Sequence, residues 1–258
     1  MTLDWEMDIN WKVRTQDNRI CIIRDHNWSF AAWEIGRLND QIRNKSLVVH
    51  VDAHLDNAID GALVTGLQEA TTIEQIIEVC SSYDSSLGQT PKSNMMHIDN
   101  FIWSSLVRGT IEEVIYVSRD NQELNTIANL SEQNDPQTQL VLEKLPPDCN
   151  YRTTRFMNID DFLMSSVAQD LGAYLGERTA ILDLDIDVFN DSDRMFDPEL
   201  IPMHQVREYT KKLYGLYQWD MITIAISPSY CGGILEAQLL LENVLKALDI
   251  DVQSTITW

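Results

Sequence analysis

The sequence predicts an α/β fold: a three-layer α/β/α arrangement around a mostly parallel central sheet. Three observations predict it. Several short apolar runs are hydrophobic at consecutive positions rather than alternating, as strands buried on both faces are. Segments with helical spacing separate those runs, the alternation that builds a parallel sheet covered on each side. No internal repeat, low-complexity tract or linker interrupts the pattern, so one domain spanning residues 1–258 is the economical expectation.

In order along the chain, Arg19–Arg24 (RICIIR) predicts a buried strand. Trp28–Asn44 predicts a helix, with Phe30, Trp33, Ile35, Leu38 and Ile42 apolar between Glu34, Arg37, Asp40 and Arg43. Ser46–Val51 (SLVVHV) predicts a strand that ends in Asp52. Helices are expected over Thr71–Cys80 and Asp99–Val107, and a β-branched strand over Glu113–Ser118. Asn121–Thr138 reads as a polar surface excursion, Gln139–Glu143 as a short strand and Lys144–Tyr151, with its paired prolines, as a loop. A helix over Phe162–Leu175, a strand over Thr179–Val188, a helix over Met203–Tyr217, a strand over Met221–Ile226 and a helix over Ile234–Leu248 complete the set.

Acidic residues outnumber basic ones 40 to 19, a net charge of −21. Such a field repels nucleic-acid phosphates and anionic membranes and attracts cations, while also serving plain solubility. No apolar run approaches the ~20 residues that cross a bilayer. Met1–Asn10 carries Asp4, Glu6 and Asp8 where a secretory signal is basic and then apolar, so a cytoplasmic chain is expected. Cys21, Cys80, Cys149 and Cys231 lack CxxC or CxxH spacing, which argues for reduced thiols over a disulfide framework or zinc knuckle.

Two acidic segments carry the chemistry. In His50–Asn57 (HVDAHLDN), Asp52, His54 and Asp56 alternate with Val51, Ala53 and Leu55, so an extended chain presents them on one face. The preceding strand delivers them to the carboxyl end of a parallel sheet, where open α/β folds bind ligands. In Ile181–Phe189 (ILDLDIDVF), Asp183, Asp185 and Asp187 repeat the spacing. Carboxylates crowded in a low-dielectric setting protonate unless cations neutralise them. Oxygen ligands mixed with imidazole suit manganese, iron or zinc better than calcium. Either segment by itself could equally be a loop of capping aspartates or a strand end facing solvent.

HVDAHLD resembles the first metal motif of the ureohydrolases (arginases and agmatinases), a strand ending in Asp-Ala-His-x-Asp. LDIDVFN, Leu184–Asn190, resembles their second motif, Ser-x-Asp-x-Asp-x-x-Asp-Pro, and RDHNWS, Arg24–Ser29, is similar to their Gly-Gly-Asp-His-Ser. The resemblance implies an arginase/deacetylase-like fold and two manganese ions, other divalent metals being possible. It implies His26, Asp52, Asp56 and Asp185 on one ion and Asp52, His54, Asp185 and Asp187 on the other. A narrower resemblance, carried by RDHNWSFAAWEIG, HIDNFIW and SPSYCGG, is to the peptide arginases of ribosomal peptide (RiPP) maturation. It implies hydrolysis of arginine side chains in a precursor peptide to ornithine and urea by a metal-bridging hydroxide, with Asp56 shuttling the proton.

Three departures qualify the resemblance. Ile23 and Arg24 replace the paired glycines, and Asn190 and Asp191 replace the final Asp-Pro. Ala225 falls where arginases carry the glutamate that binds the guanidinium. Glu236 is one candidate to return that carboxylate, its alternative being a residue of the first helical turn; Asp183 and Asp99 are lesser ones. His97, 41 residues beyond Asp56, is a candidate second proton shuttle or a helix-terminal histidine. His50 reads as a supporting or core residue, His204 as surface, Trp33 as core and Trp28 as near the site. Tyr230, Gly232 and Gly233 shape either a pocket mouth or an ordinary turn. The rival activities are a ureohydrolase on a small guanidino compound, agmatinase-like or arginase-like, and a single-zinc deacetylase-like amide hydrolase. A binding protein with a vestigial metal site is the rival outside enzymology.

Overall fold

Strands running in the same direction need crossovers, and the helices between these strands supply them. The structure, a computed structural model, describes residues 4–81, 94–192 and 197–258. Its centre is one eight-stranded sheet. The strands are β1 (Lys12–Arg14), β2 (Ile20–Ile23), β3 (Ser46–Val51), β4 (Ile111–Val117), β5 (Arg152–Phe156), β6 (Ala180–Asp185), β7 (Met221–Ala225) and β8 (Ile256–Thr257), in the order β5-β4-β3-β6-β7-β2-β1-β8. The six from β5 to β2 are mutually parallel, and β1 and β8 extend that edge antiparallel.

Every residue of β2, β3, β6 and β7 is buried, which is why these runs read as continuously apolar. One core lies on the face covered by α1 (Trp28–Leu38), α2 (Ile73–Cys80) and α3 (Phe101–Val107). A second lies under α4 (Ile159–Met164), α5 (Met203–Gly215) and α6 (Ile234–Leu248) on the other. This is the expected three-layer, mostly parallel α/β arrangement. Among the described residues, no helix is long and apolar enough to cross a membrane. All four cysteines are free thiols, as their spacing predicts.

Local differences from the sequence reading have local causes. Gln139–Glu143 is not a strand but part of a helix, Pro136–Lys144, because Asp135 caps the Thr138 N–H and Pro136 starts the first turn. The single helix expected over Phe162–Leu175 is three short ones, restarted where Ser165 caps Ala168 and Asp170 caps Ala173. The strand expected through Val188 stops at Asp185, and Ile186–Phe189 coils into a 3-10 turn whose Asp187 N–H the Asp185 side chain caps. β5 (RTTRF) escaped notice because an edge strand that is not buried carries no apolar run.

Glu34, expected on the polar face of its helix, is fully buried. It accepts hydrogen bonds from Arg37 Nη2 at 2.8 Å, from Arg108 Nε at 2.9 Å and from the Thr110 hydroxyl. It ties α1 to the turn between α3 and β4. Glu34→Ala removes the carboxylate partner of the Arg108 guanidinium, which is 10% exposed and keeps the Leu67 and Gln68 carbonyls, so a loss of about 3 kcal/mol is expected as a lower urea-unfolding midpoint.

Candidate metal centre

Register explains why distant residues meet. His50 on β3 lies beside Asp183 on β6, and Asp183 lies beside Thr223 on β7. One step further along, Asp52 leaves the end of β3 and Asp185 closes β6 beside Ala225. His26 comes from the turn after β2, with its ring against Phe101 at 4.6 Å and stacked on His50 at 5.4 Å. The carboxyl end of the parallel sheet thus gathers both acidic segments and His26, the place where such sheets bind ligands.

Two groups form there. His26 Nδ1 lies 3.1 Å from Asp52 Oδ2, 2.8 Å from Asp56 Oδ2 and 3.1 Å from Asp185 Oδ2. His54 Nδ1 lies 3.3 Å from Asp52 Oδ1 and 3.1 Å from Asp187 Oδ2. The two oxygens of Asp52 therefore address different groups. Asp185 presents Oδ2 to the first group, where Ser227 Oγ also donates to it, and accepts the Asp187 N–H on Oδ1. Asp187 Oδ1 takes the Ala53 N–H, which locks the two acidic segments together. His26 and the four aspartates are buried, whereas the His54 side chain is 44% exposed and packs against Tyr230. Asp56 and Ser227 take the left-handed backbone conformation, with φ angles of 46° and 43°.

The donor set fits a pair of divalent cations. His26 Nδ1 and Asp187 Oδ2 are buried, yet neither finds a hydrogen-bond partner. The spacings around Nδ1 are near the ~3 Å that separates neighbouring ligand atoms bound about 2.1 Å from one ion. His26, Asp52, Asp56 and Asp185 would hold one cation; Asp52, His54, Asp185 and Asp187 the other. His50 Nε2 is also orphaned and lies 3.6 Å from Asp52 Oδ2. His26, His50 and Asp52 together are close enough to share an ion, as are Asp52, His54 and Asp187.

Protons occupy part of this space in the ion-free chain. Burial and the charge of Asp52 push Asp56 up to about 7. Burial, with Asp185 and Asp52, pushes Asp187 well above the usual carboxylate range. Burial opposes charge on His54, but the Asp187 and Asp52 carboxylates beside it prevail and raise it to about 12. In the same way, burial opposes charge on His26 and the surrounding carboxylates outweigh it. Conversely, His26 and His54 overcome burial to hold Asp52 well below its ordinary value. A cation has to displace the protons on Asp56, Asp187, His26 and His54. Divalent-ion affinity is therefore expected to strengthen as pH rises and weaken as it falls. Calorimetric titration in buffers of different ionisation enthalpy should show net proton release.

A cavity of about 350 Å³ opens above the centre, lined by Asp52, His54, Asp56, Asp185, Asp187 and Tyr230 together with Asp99, Asp120 and Glu123. The last two were not singled out in the sequence. They stand just past β4, and position beyond a central parallel strand was the one signal that could have found them. Asn57 secures that wall: Asn125 donates its N–H to Asn57 Oδ1 at 2.6 Å and its side-chain amide to the Asn57 carbonyl at 2.8 Å.

Other candidates lie elsewhere. Glu236 does not line this cavity; its Oε2 sits against Gly233, the residue before its own helix, so the first-turn alternative describes its placement. His97 is half-buried before α3 and likewise outside the lining, although its neighbours Ile98 and Asp99 belong to it. Asp183 is fully buried beneath the centre and cannot reach a substrate. Trp28, expected near the site, is buried in the helical layer under the Lys12 ammonium, 3.7 Å from its ring centre. Trp33 is core and His204 exposed, as expected.

No protein-family model and no curated protein matches the chain. Among solved structures, proclavaminate amidino hydrolase from Streptomyces clavuligerus is similar over 88% of this chain and 62% of its own, at 14% identity and a TM-score of 0.49. A hypothetical agmatinase from Burkholderia thailandensis is similar over 89% and 57%, at 12% identity and 0.46. Arginase from Bacillus cereus is similar over 88% and 69%, at 13% identity and 0.44. The chain spans about three fifths of the length of the first two. At these identities and scores no family is assigned to it.

Proposed function

We propose that the chain is a binuclear metal-dependent hydrolase of linear amidines that converts arginine side chains of a peptide to ornithine and urea. The observation that carries the reading is the centre itself: Asp52 turns one oxygen to each of two donor groups, and both groups contain buried atoms without a hydrogen-bond partner. Two manganese ions bound there would lower the pKa of a shared water to near neutrality and offset the carboxylate charge. Asp56, which lines the cavity, would hold the proton taken from that water and return it to the alkyl nitrogen as the carbon–nitrogen bond breaks. The water oxygen leaves in urea, and the amine stays on the side chain.

Asp99, Asp120 and Glu123 favour a cationic group over the centre, with Ala225 offering no carboxylate from β7. Beside the cavity a second recess, about 640 Å³, shares His54, Asp120, Gln122 and Tyr230 with it and continues along Asn121 and Ser229. A continuous opening of this kind suits a chain laid across the centre better than a small molecule enclosed by it.

The test is urea release, with mass spectrometry for loss of the amidino group, from an arginine-containing peptide, free arginine and agmatine in the presence of manganese. Turnover of the peptide well above the other two is expected. Faster turnover of free arginine or agmatine would replace this substrate with a small guanidino compound. Deacetylation with one zinc per chain would replace the chemistry as well.

A further inference from the structure

The motif that LDIDVFN resembles begins with a serine two residues before its first metal aspartate, and this chain has Asp183 there. A carboxylate with no exposed surface under an already acidic centre is costly unless its oxygens are fully used. They are. Oδ1 accepts the Ser29 hydroxyl at 2.8 Å and the Thr223 hydroxyl at 2.5 Å. Oδ2 lies 2.9 Å from His26 Nε2 and 2.8 Å from His50 Nδ1. An ionised carboxylate only accepts, so each of those ring nitrogens has to carry the hydrogen. Trp33 Nε1 donates in turn to the Thr223 hydroxyl at 3.3 Å, so α1 and three adjacent strands all fix this one group.

We infer that Asp183 is a positioning residue for the metal site that contains His26, and that His50 is its brace. By accepting the Nε2 hydrogen, Asp183 leaves Nδ1 of His26, directed at Asp52, Asp56 and Asp185, as the nitrogen that a cation would take in place of a proton. Without it the imidazole could carry its hydrogen on Nδ1, the atom a cation needs, or turn its ring away. His50, its ring stacked on that of His26, donates to the same oxygen and stops the carboxylate from following His26 alone. A carboxylate behind a metal-binding imidazole fixes its tautomer and raises its basicity, and losing such a partner costs about 10–100-fold in metal affinity. His54 has no contact with Asp183 and its ring is half open to the cleft, so the second site is not served by this brace.

The inference rests on the metal-centre reading of the site and not on the choice of guanidino substrate. The first test is nitrogen NMR of histidine-labelled, zinc-loaded protein. Hydrogen on Nε2 of His26 and on Nδ1 of His50 is expected; hydrogen on Nδ1 of His26 overturns the assignment. The second is manganese binding to the chelator-treated chain by calorimetry, with melting curves as the control for folding. Asp183→Asn, whose amide cannot accept from both rings at one ionised oxygen, should weaken one of two sites about 10–100-fold and spare the other. His50→Gln should weaken the same site by a smaller factor. Both sites staying within twofold of the parent in Asp183→Asn overturns the inference. If that variant does not fold, the NMR result on the parent decides. A parent that binds no divalent ion would instead remove the metal centre itself, so the two failures are distinguishable.

Discussion

Asp52→Ala and Asp185→Ala are each expected to lower urea release from an arginine-containing peptide by more than about 1000-fold, roughly 4 kcal/mol of lost transition-state stabilisation. Asp52 is the one carboxylate whose two oxygens reach both donor groups, Oδ2 to His26 and Oδ1 to His54. Asp185 gives Oδ2 to the first group, while its Oδ1 holds the backbone N–H of Asp187 in the second. Either loss takes a ligand from both sites, so metal content should fall from two ions per chain to one or fewer. Atomic absorption on the purified variants, run beside the urea assay, checks both halves. Near-normal turnover in either variant would falsify the ligand assignment.

Chelation is expected to lower the melting temperature by roughly 8–16 °C, and manganese to restore it. A ligand at about 1000 times its dissociation constant adds roughly 4 kcal/mol, and a chain of this size gains about 2–4 °C per kcal/mol. The shift should widen with pH. In the ion-free protein, Asp56 and Asp187 keep protons above the pH at which an unfolded carboxylate loses them. The folded state therefore binds more protons than the unfolded one from about pH 4 upward, and its stability falls as pH rises through the folded pKa values. His26 and His54, also raised, add to this fall above their ordinary range near 6.5. Bound cations take over from those protons. Scanning calorimetry at pH 6 and pH 8, with chelator and with manganese, should show the larger gap at pH 8.

Much of the site's placement was legible because strand geometry converts spacing into direction. Alternation in HVDAHLD and LDLDID states which side chains share a face, and the apolar runs before them state that both sit at the ends of buried strands. Asp187 was legible as a partner of Asp185 although its strand ends early; a 3-10 turn carries it to His54 instead. Asp120 and Glu123 were not legible. They belong to a polar loop like many others, and their nearness to the centre depends on the Asn57–Asn125 clasp between segments 68 residues apart. The burial of Glu34 was hidden for a related reason: its partners Arg108 and Thr110 are 74 and 76 residues away, so helical periodicity alone assigned it to solvent.

By itself, then, the order of residues determined which segments are strands buried on both faces, which are amphipathic helices, and which carboxylates and imidazoles a strand end presents together. These are local properties, set by side-chain period and by the cost of leaving apolar runs in water. Only the tertiary structure decided which strands are neighbours: that β3 lies against β6 and β6 against β7, so that His50, Asp183 and Thr223 stand in one row and Asp52 faces Asp185's group across His26. Register between strands far apart in the chain follows from the packing of both cores and the helices over them, a sum over many weak contacts that no short stretch of sequence encodes.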